Sequence, residues 1–403
     1  MSLGAKLKEA KSKKTEPPVW EGPESPEAQG GVTQSLLGDY LACGERFRIH
    51  TVEGLKLAEG FNKYLEFGNL WHLAEECFGR GEDWRVALRK YAVDLVAKYP
   101  MSADEVNKWY NVVLVQFPVY VQFWEKHKEQ KTKINLMSEV SFRVPYVLPS
   151  GRVVYLRGKW DSIDLVGNKK EQGIWLTDHK TKGEIDPITL EKQLTFDLQT
   201  MTYLVALKTL IGYAKDGCPD TVDYAADVIY PSGEYFGNLP IDLEKHQLKG
   251  FYYNVIRRPL SGGKGSIRQH QPTKSNPQGE TQAEFYARLG GIIEESAAEF
   301  FYRWTVEITP AEIEQFEKTF LQPCLENLCD DYEWWNVCKT QGIDVYDYLY
   351  REDKFNHQRR HFRLPYGGWN TVLDGGMSDV DEYLNTGVTT GLQRVESLFK
   401  ELA

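Results

Sequence analysis

Ile174-Trp175-Leu176-Thr177-Asp178-His179-Lys180-Thr181, preceded at a short interval by Gly158-Lys159-Trp160-Asp161, is the stretch on which the fold turns. Both segments read as neighbouring strands, and each delivers a carboxylate. Side chains alternate along a strand, so Asp178 and Lys180 share a face, about 6.6 Å apart along it. Ile174 and Leu176 have that same parity, while Trp175 and Thr177 have the other, which predicts a strand buried on both sides. A carboxylate and an amine at the end of such a strand are costly unless a metal, a partner or a substrate compensates them. A structural ion pair between the two strands is the competing reading, because charged residues are common at strand ends.

Working outward, residues 35–60, 62–78, 84–99 and 104–128 carry helical apolar periodicity. Strand alternation begins near 135, with segments 139–147 and 152–166 joined by the turn Pro149-Ser150-Gly151. A helix over 190–211 and a strand over 223–230 follow the Asp178 strand. Further on come a helix over 281–301, a strand over 302–308 and a helix over 310–329. Helices, antiparallel strands, helix and strand in that order predict a mixed α/β core flanked by helices. The expected organisation is a disordered tail at 1–31, rich in Lys, Glu, Pro and Gly, then a helical N-terminal part at 32–134. A core at 135–308, interrupted by a basic loop insertion at 245–279, precedes a helical or irregular extension at 309–403.

The chain has 403 residues and a formal net charge of -10, which argues against non-specific nucleic-acid binding over the whole surface. A local basic track is still allowed, since phosphate affinity depends on where the charge sits. The run 245–279 holds no Asp or Glu but carries Arg257, Arg258, Lys264, Arg268 and Lys274, beside the aromatics Phe251, Tyr252 and Tyr253. A solvated loop is the ordinary reading of such a run. Mobile glycines and neighbouring aromatic rings favour contact with a DNA strand. Six cysteines without a secretory apolar segment predict reduced thiols in a cytoplasmic protein, and no apolar run is long enough for a membrane span. No phosphate-binding loop of the G-x-x-x-x-G-K-[ST] type is present in the sequence.

Asp161 and Asp178 suit a hard divalent cation, which commonly takes one or two carboxylates and keeps several waters. Lys180 beside them would orient a water or neutralise charge on an attacked phosphate. Gln199 and Tyr203, four apart, share a helix face and would buttress Lys180 or bond a DNA phosphate. His72 sits on an upstream helix after Gly68, with Glu75 and Glu76 one turn later. Alone it reads as an ordinary core or surface histidine. His179 faces away from its strand neighbours by alternation and reads as structural.

Gly68 with His72, Gly158-x-x-Asp161, Asp178-x-Lys180 and Gln199-x-x-x-Tyr203, in that order, resemble the PD-(D/E)XK nuclease superfamily and specifically its RecB-like exonuclease branch. The resemblance spans about 35–210, and residues 35–43 are similar to the opening helix of these nucleases. It implies a restriction-endonuclease-like fold and Mg²⁺ or Mn²⁺ on His72, Asp161 and Asp178. It further implies Lys180 as the catalytic lysine, with Gln199 and Tyr203 completing the site. Glu139 matches an acidic position often seen in this branch. Segments 254–259, 280–289 and 301–303 look like phage-encoded relatives, which implies a bacterial cell or phage-infected host.

Some members of the branch hold a four-iron cluster on one early cysteine and three late ones spaced C-x-x-C-x-x-x-x-x-C. Cys43 matches the first position, but the spacing of Cys324, Cys329 and Cys338 departs from that pattern, and free thiols are the expectation. The implied activity is a metal-dependent DNA exonuclease in recombination, repair or phage DNA processing, working with a separate helicase or recombination protein. Its rivals are a non-catalytic DNA-binding or scaffold protein that retains the fold, and a structure-specific endonuclease acting on DNA or RNA.

Overall fold

A computed structural model describes residues 19–42, 44–57, 60–127, 132–167, 172–222, 246–262, 265–274, 277–341, 392–395, 397–399 and 402. In chain order the elements begin with β1 (Val32–Thr33), α1 (Gln34–Ala42), α2 (Gly44–Phe47) and β2 (Leu55–Leu57). The helices α3 (Lys63–Gly79), α4 (Trp84–Lys98) and α5 (Ala103–Glu125) follow. Next come β3 (Ile134–Val147), β4 (Val153–Val166), β5 (Gly173–Lys182), α6 (Pro187–Leu194), α7 (Leu198–Asp216) and β6 (Gln247–Arg257). The last are α8 (Gln282–Glu295), α9 (Ala297–Phe300), β7 (Phe301–Glu307), α10 (Pro310–Phe316), α11 (Gln322–Gln341) and β8 (Leu392–Arg394).

Two compact units result. One comprises Gly60–Val144 and Gly158–Phe320; the other comprises Met1–Glu59, Pro145–Arg157 and Leu321–Ala403. The expected boundaries at 134 and 308 do not coincide with these: the first helices group with residues 321–403. In the first unit β4 runs antiparallel to β5, with Ser162 opposite Thr177. β5 runs parallel to β6, with Asp178 opposite Tyr253, and β6 runs antiparallel to β7. Within this mixed sheet, residues 173–179 of β5 are buried without interruption, as a strand covered on both faces requires.

The helical layer forms because α3, α4, α5 and α8 each carry an apolar stripe. On α3 the stripe is Phe67, Leu70, Trp71, Ala74 and Cys77, all buried, at the i, i+3, i+4, i+7 spacing of one helix face. Trp71 meets Phe117 and Tyr120 edge-on at centroid distances of 5.4 and 5.2 Å. Full burial of aromatic side chains such as these stabilises the unit by roughly 1.5–3 kcal/mol apiece. Asn62 starts α3 by accepting from the Tyr64 and Leu65 main-chain N–H groups, satisfying two donors the helix leaves free. On the adjoining face stand His72, Glu75 and Glu76.

Several expectations need correction. Residues 247–257 are a strand beside β5, not part of a loop insertion: Phe251, Tyr252, Tyr253, Val255 and Ile256 are buried there. The run reads as a loop because Lys249 and Arg257 mask an apolar, β-branched and aromatic centre. In the other unit residues 19–31 are no tail. Trp20 is fully buried, donates from Nε1 to the Gly31 carbonyl at 2.9 Å, and packs edge-on against Phe47 and Tyr332. A single tryptophan in a polar segment supplies that anchor. The expected helix at 35–60 is α1 and α2, then a wide helical turn at Arg48–Val52, then β2. The one at 190–211 is broken between α6 and α7, where Phe196 adopts a left-handed φ of 55°. The expected strand at 223–230 lies outside the described residues. Among the described residues no helix is long and apolar enough to cross a membrane.

Candidate active site

β4 and β5 bring the two aspartates together by register. Asp161 and Asp178 lie one step beyond the Ser162–Thr177 pair, so by parity they belong to the same face, at cross-strand neighbour distance. The His179 main-chain N–H donates to Asp161 Oδ2 at 2.7 Å. Asp178 itself is tied to Lys180, whose Nζ stands 2.9 Å from Asp178 Oδ2. Gln199 closes the figure from the first turn of α7, donating from Nε2 to Asp178 Oδ1 at 2.9 Å and accepting from Lys180 Nζ at 2.6 Å. Burial alone would push the lysine down, but Asp178 and then Asp161 outweigh it and hold Lys180 above its ordinary value.

Tyr203, one turn along α7, is buried edge-on to Phe142, 5.4 Å between centroids. Burial, then the charges of Asp178 and Asp161, hold its phenol well above the usual range. Gly158 explains itself here. A Cβ at that position would stand 2.6 Å from the Phe142 ring and 2.8 Å from the Tyr203 ring.

α3 supplies the other wall. His72 Nδ1 lies 3.5 Å from Glu139 Oε1 and 3.5 Å from Asp161 Oδ2. One ligand atom from each of these three residues falls within 4.8 Å of the others. Glu139 reaches them from a left-handed backbone, φ 52°, in the middle of β3. A non-glycine residue held there inside a strand marks a position that the surroundings over-determine. Its other oxygen meets Lys159 Nζ at 2.8 Å, and that amine is also 3.4 Å from Glu76 Oε2. Burial would raise Glu139, but His72 and Lys159 prevail and hold it below its ordinary value.

The wall is crowded with negative charge. Burial pushes Asp161 up to about 7, and Asp178 and Glu139 add to this against the pull of His72. Burial would lower His72, yet Asp161, Glu139 and Asp178 raise it to about 9. A protonated imidazole thus stands where positive charge is wanted. Glu139 Oε1 is buried and accepts no hydrogen bond, whereas Asp178 Oδ2 faces Lys180 Nζ. Three carboxylates and an imidazole fit a hard divalent ion, which prefers oxygen with at most a nitrogen ligand. Three of the four groups converge. Asp178 stands beside them, committed to Lys180 and Gln199.

Sequence reasoning passed over the groups behind this wall. The His179 ring, read as structural, is buried 3.6 Å from Glu75 Oε1 and 3.5 Å from Asn254 Nδ2. Burial, then His72 and Lys133, push it well below its ordinary value, so it is neutral. Asn254 accepts from Arg303 Nε at 2.8 Å. A cavity of about 200 Å³ opens here, lined among others by Glu75, Tyr120, Trp124, Asp161, Asn254 and Arg303. Asn254 and Arg303 come from β6 and β7; their segments, 254–259 and 301–303, stand out in the sequence, but no local pattern gives either residue a place in the site. Lys159 was legible, being two residues before Asp161 on the same face.

Among the described residues the basic side chains have different surroundings. Arg257 is taken by the Gly265 carbonyl at 2.6 Å and by Glu299 at 3.7 Å, with its guanidinium over Phe300. Arg258 binds the Thr181 carbonyl at 2.8 Å, which sets it at the end of β5. Arg268 and Lys274 are exposed, and Lys264 lies outside the described residues. Cys324 and Cys329, in the other unit, are buried free thiols on α11. Five residues apart on a helix, they point about 140° away from each other. That separation opposes a shared cluster. Cys43 and the Cys338 side chain lie outside the described residues.

A search of curated proteins finds no match to this sequence. A family profile does match, over residues 32–339, well over half of the chain and every site residue described above. The mixed sheet flanked by helices agrees with the restriction-endonuclease-like fold of that family. The chain belongs to the PD-(D/E)XK nuclease superfamily.

Proposed function

We propose that the protein is a divalent-metal-dependent deoxyribonuclease of the RecB-like branch, acting on DNA ends as an exonuclease during recombination, repair or phage DNA processing. The observation that carries the reading is the closed triangle of Asp178, Lys180 and Gln199 beside the converging His72, Glu139 and Asp161. His72, Glu139 and Asp161, with Asp178 adjoining, would hold Mg²⁺ or Mn²⁺. When bound, such an ion lowers the pKa of water and offsets charge on the phosphate.

The chain's own groups do the rest. Lys180, kept protonated by its carboxylate neighbours, directs Nζ–H toward the attacking water or a phosphoryl oxygen, where negative charge develops. Gln199 fixes both Asp178 and Lys180, so their geometry is set before substrate arrives. The Tyr203 ring buttresses β4 at Gly158. Water adds to phosphorus as the P–O bond to the leaving nucleotide breaks, giving a phosphate monoester and a free hydroxyl. A helicase or recombination protein working beside it, and a cytoplasmic setting in a bacterial or phage-infected cell, belong to the same reading.

The test is incubation with end-labelled single- and double-stranded linear DNA and with circular DNA, in Mg²⁺, Mn²⁺ or chelator. Mononucleotide or short-oligonucleotide release from linear DNA alone, lost in chelator and in Lys180→Ala, is the expected outcome. Nicking of the circle would replace the exonuclease with an endonuclease. Equal cleavage by wild type and Lys180→Ala would sink the assignment.

A further inference from the structure

The end of β5 carries positive charge that the site above does not use. Lys182 is two residues beyond Lys180, on the same face of the strand and about 6.6 Å further along it. Its Nζ donates to Gln193 Oε1 at 3.3 Å, and its carbonyl accepts from the Arg258 main-chain N–H at 2.7 Å. The Arg258 side chain is fixed in place. Nε donates to Ser261 Oγ at 3.1 Å, Nη1 donates to the Thr181 carbonyl and hydroxyl, and the guanidinium lies 4.6 Å from the centre of the Tyr64 ring. Among the described residues no carboxylate forms an ion pair with Lys182 or Arg258. Burial, then Lys180 and Arg258, lower Lys182, so these cations feel one another. Half-buried like charges that no carboxylate directly pairs are unfavourable unless an anion joins them.

Beside Lys182 the chain turns through Phe196. Gln193, which receives Lys182 Nζ, lies three residues before it. Asp197, whose charge also reaches Lys182, lies one residue after. Phe196 is 50% exposed. Its left-handed φ of 55° is disfavoured for a bulky residue, and such outliers cluster where a ligand is handled. Packing alone does not account for the residue, because half of it faces solvent. Three residues on, Gln199 holds Asp178 and Lys180, so its Cα is at most about 11 Å from that of Phe196.

We propose that Lys182, Arg258 and Phe196 form a subsite for the nucleotide next to the scissile phosphodiester on a single DNA strand, the two cations taking its phosphate and the phenyl ring stacking on its base. The proposal rests on the nuclease reading and deepens it. A stacked base needs no sequence-specific contact, so the subsite grips any strand. A base still paired in a duplex offers no free face to the ring, so the subsite favours frayed or single-stranded ends.

The experiment measures binding of fluorescein-labelled single-stranded DNA to the full chain by anisotropy in Ca²⁺, alongside cleavage in Mn²⁺. Phe196→Gly removes the ring and suits the left-handed backbone, so its melting temperature should equal or exceed that of wild type. Its affinity should fall roughly 10- to 100-fold, while Phe196→Trp retains affinity. An abasic nucleotide at the subsite should weaken wild type by a similar factor and leave Phe196→Gly unchanged. Lys182→Gln should lower the salt dependence of binding by about one unit of slope. Wild-type cleavage together with unaltered affinity in Phe196→Gly and Lys182→Gln overturns the subsite alone. Failure of the wild type to cut any DNA in Mg²⁺ or Mn²⁺ overturns the nuclease reading and the subsite with it.

Discussion

The two walls of the site are assembled on different principles. Asp178, Lys180 and Gln199 satisfy one another through contacts of 2.6–2.9 Å, and their charges balance. His72, Glu139 and Asp161 stand at 3.5 Å with one carboxylate oxygen left unbonded and Asp161 pushed up to about 7 by burial and its acidic neighbours. The first wall is finished by folding alone. The second is held at longer range by the His72 ring and the Lys159 amine, with Asp161 still pushed up by burial. On the proposed reading, such a division separates the group that is rigid during chemistry from the group that accepts and releases an ion.

The largest effect expected from breaking the balanced wall is on rate. Lys180→Ala should slow single-turnover cleavage of linear DNA by roughly 10²–10³-fold, with the far-ultraviolet circular dichroism unchanged. An equal loss of secondary structure would mean that the lysine holds the fold instead.

The crowded wall is tested by ion-linked stability. Mn²⁺ at a hundred times its dissociation constant should stabilise wild type by about 2.7 kcal/mol, read as a rise in melting temperature. Asp161→Asn and Glu139→Gln should abolish most of that rise, whereas Lys180→Ala should keep it. Loss of the shift in all three would erase the distinction between the walls.

Gly158 joins them, and Gly158→Ala should cost about 1–3 kcal/mol in urea unfolding through overpacking against Phe142 and Tyr203. An unchanged midpoint would show that the two rings move apart freely.

The smallest effect is expected outside both walls. Burial pushes the Cys324 and Cys329 thiols up to about 12. Their reactive thiolate is therefore scarce at pH 8 and grows only as pH approaches that value. Iodoacetamide at pH 8 should label them slowly in the native protein and quickly after unfolding, leaving nuclease activity untouched.

Much of the balanced wall was legible in the sequence, because it depends on local rules. Strand parity links Asp178 to Lys180, and helix spacing links Gln199 to Tyr203. The crowded wall was harder to read. Glu139 enters it through a backbone twist that no strand pattern announces, and Asn254 and Arg303 arrive behind it from strands far along the chain. β6 was hidden by the same cause that made its segment conspicuous, since terminal basic residues dominate its composition while its centre is apolar. Trp20 shows the opposite failure: one buried ring anchors a segment whose average composition is that of a tail. Composition averages over a window, and packing acts on single side chains.

β5 is hydrogen-bonded to a neighbour on each side and buried along most of its length. Interior strands of this kind open only with the whole domain. The Lys180 and Asp178 amides should therefore sit among the slowest to exchange, reporting the opening of the whole sheet.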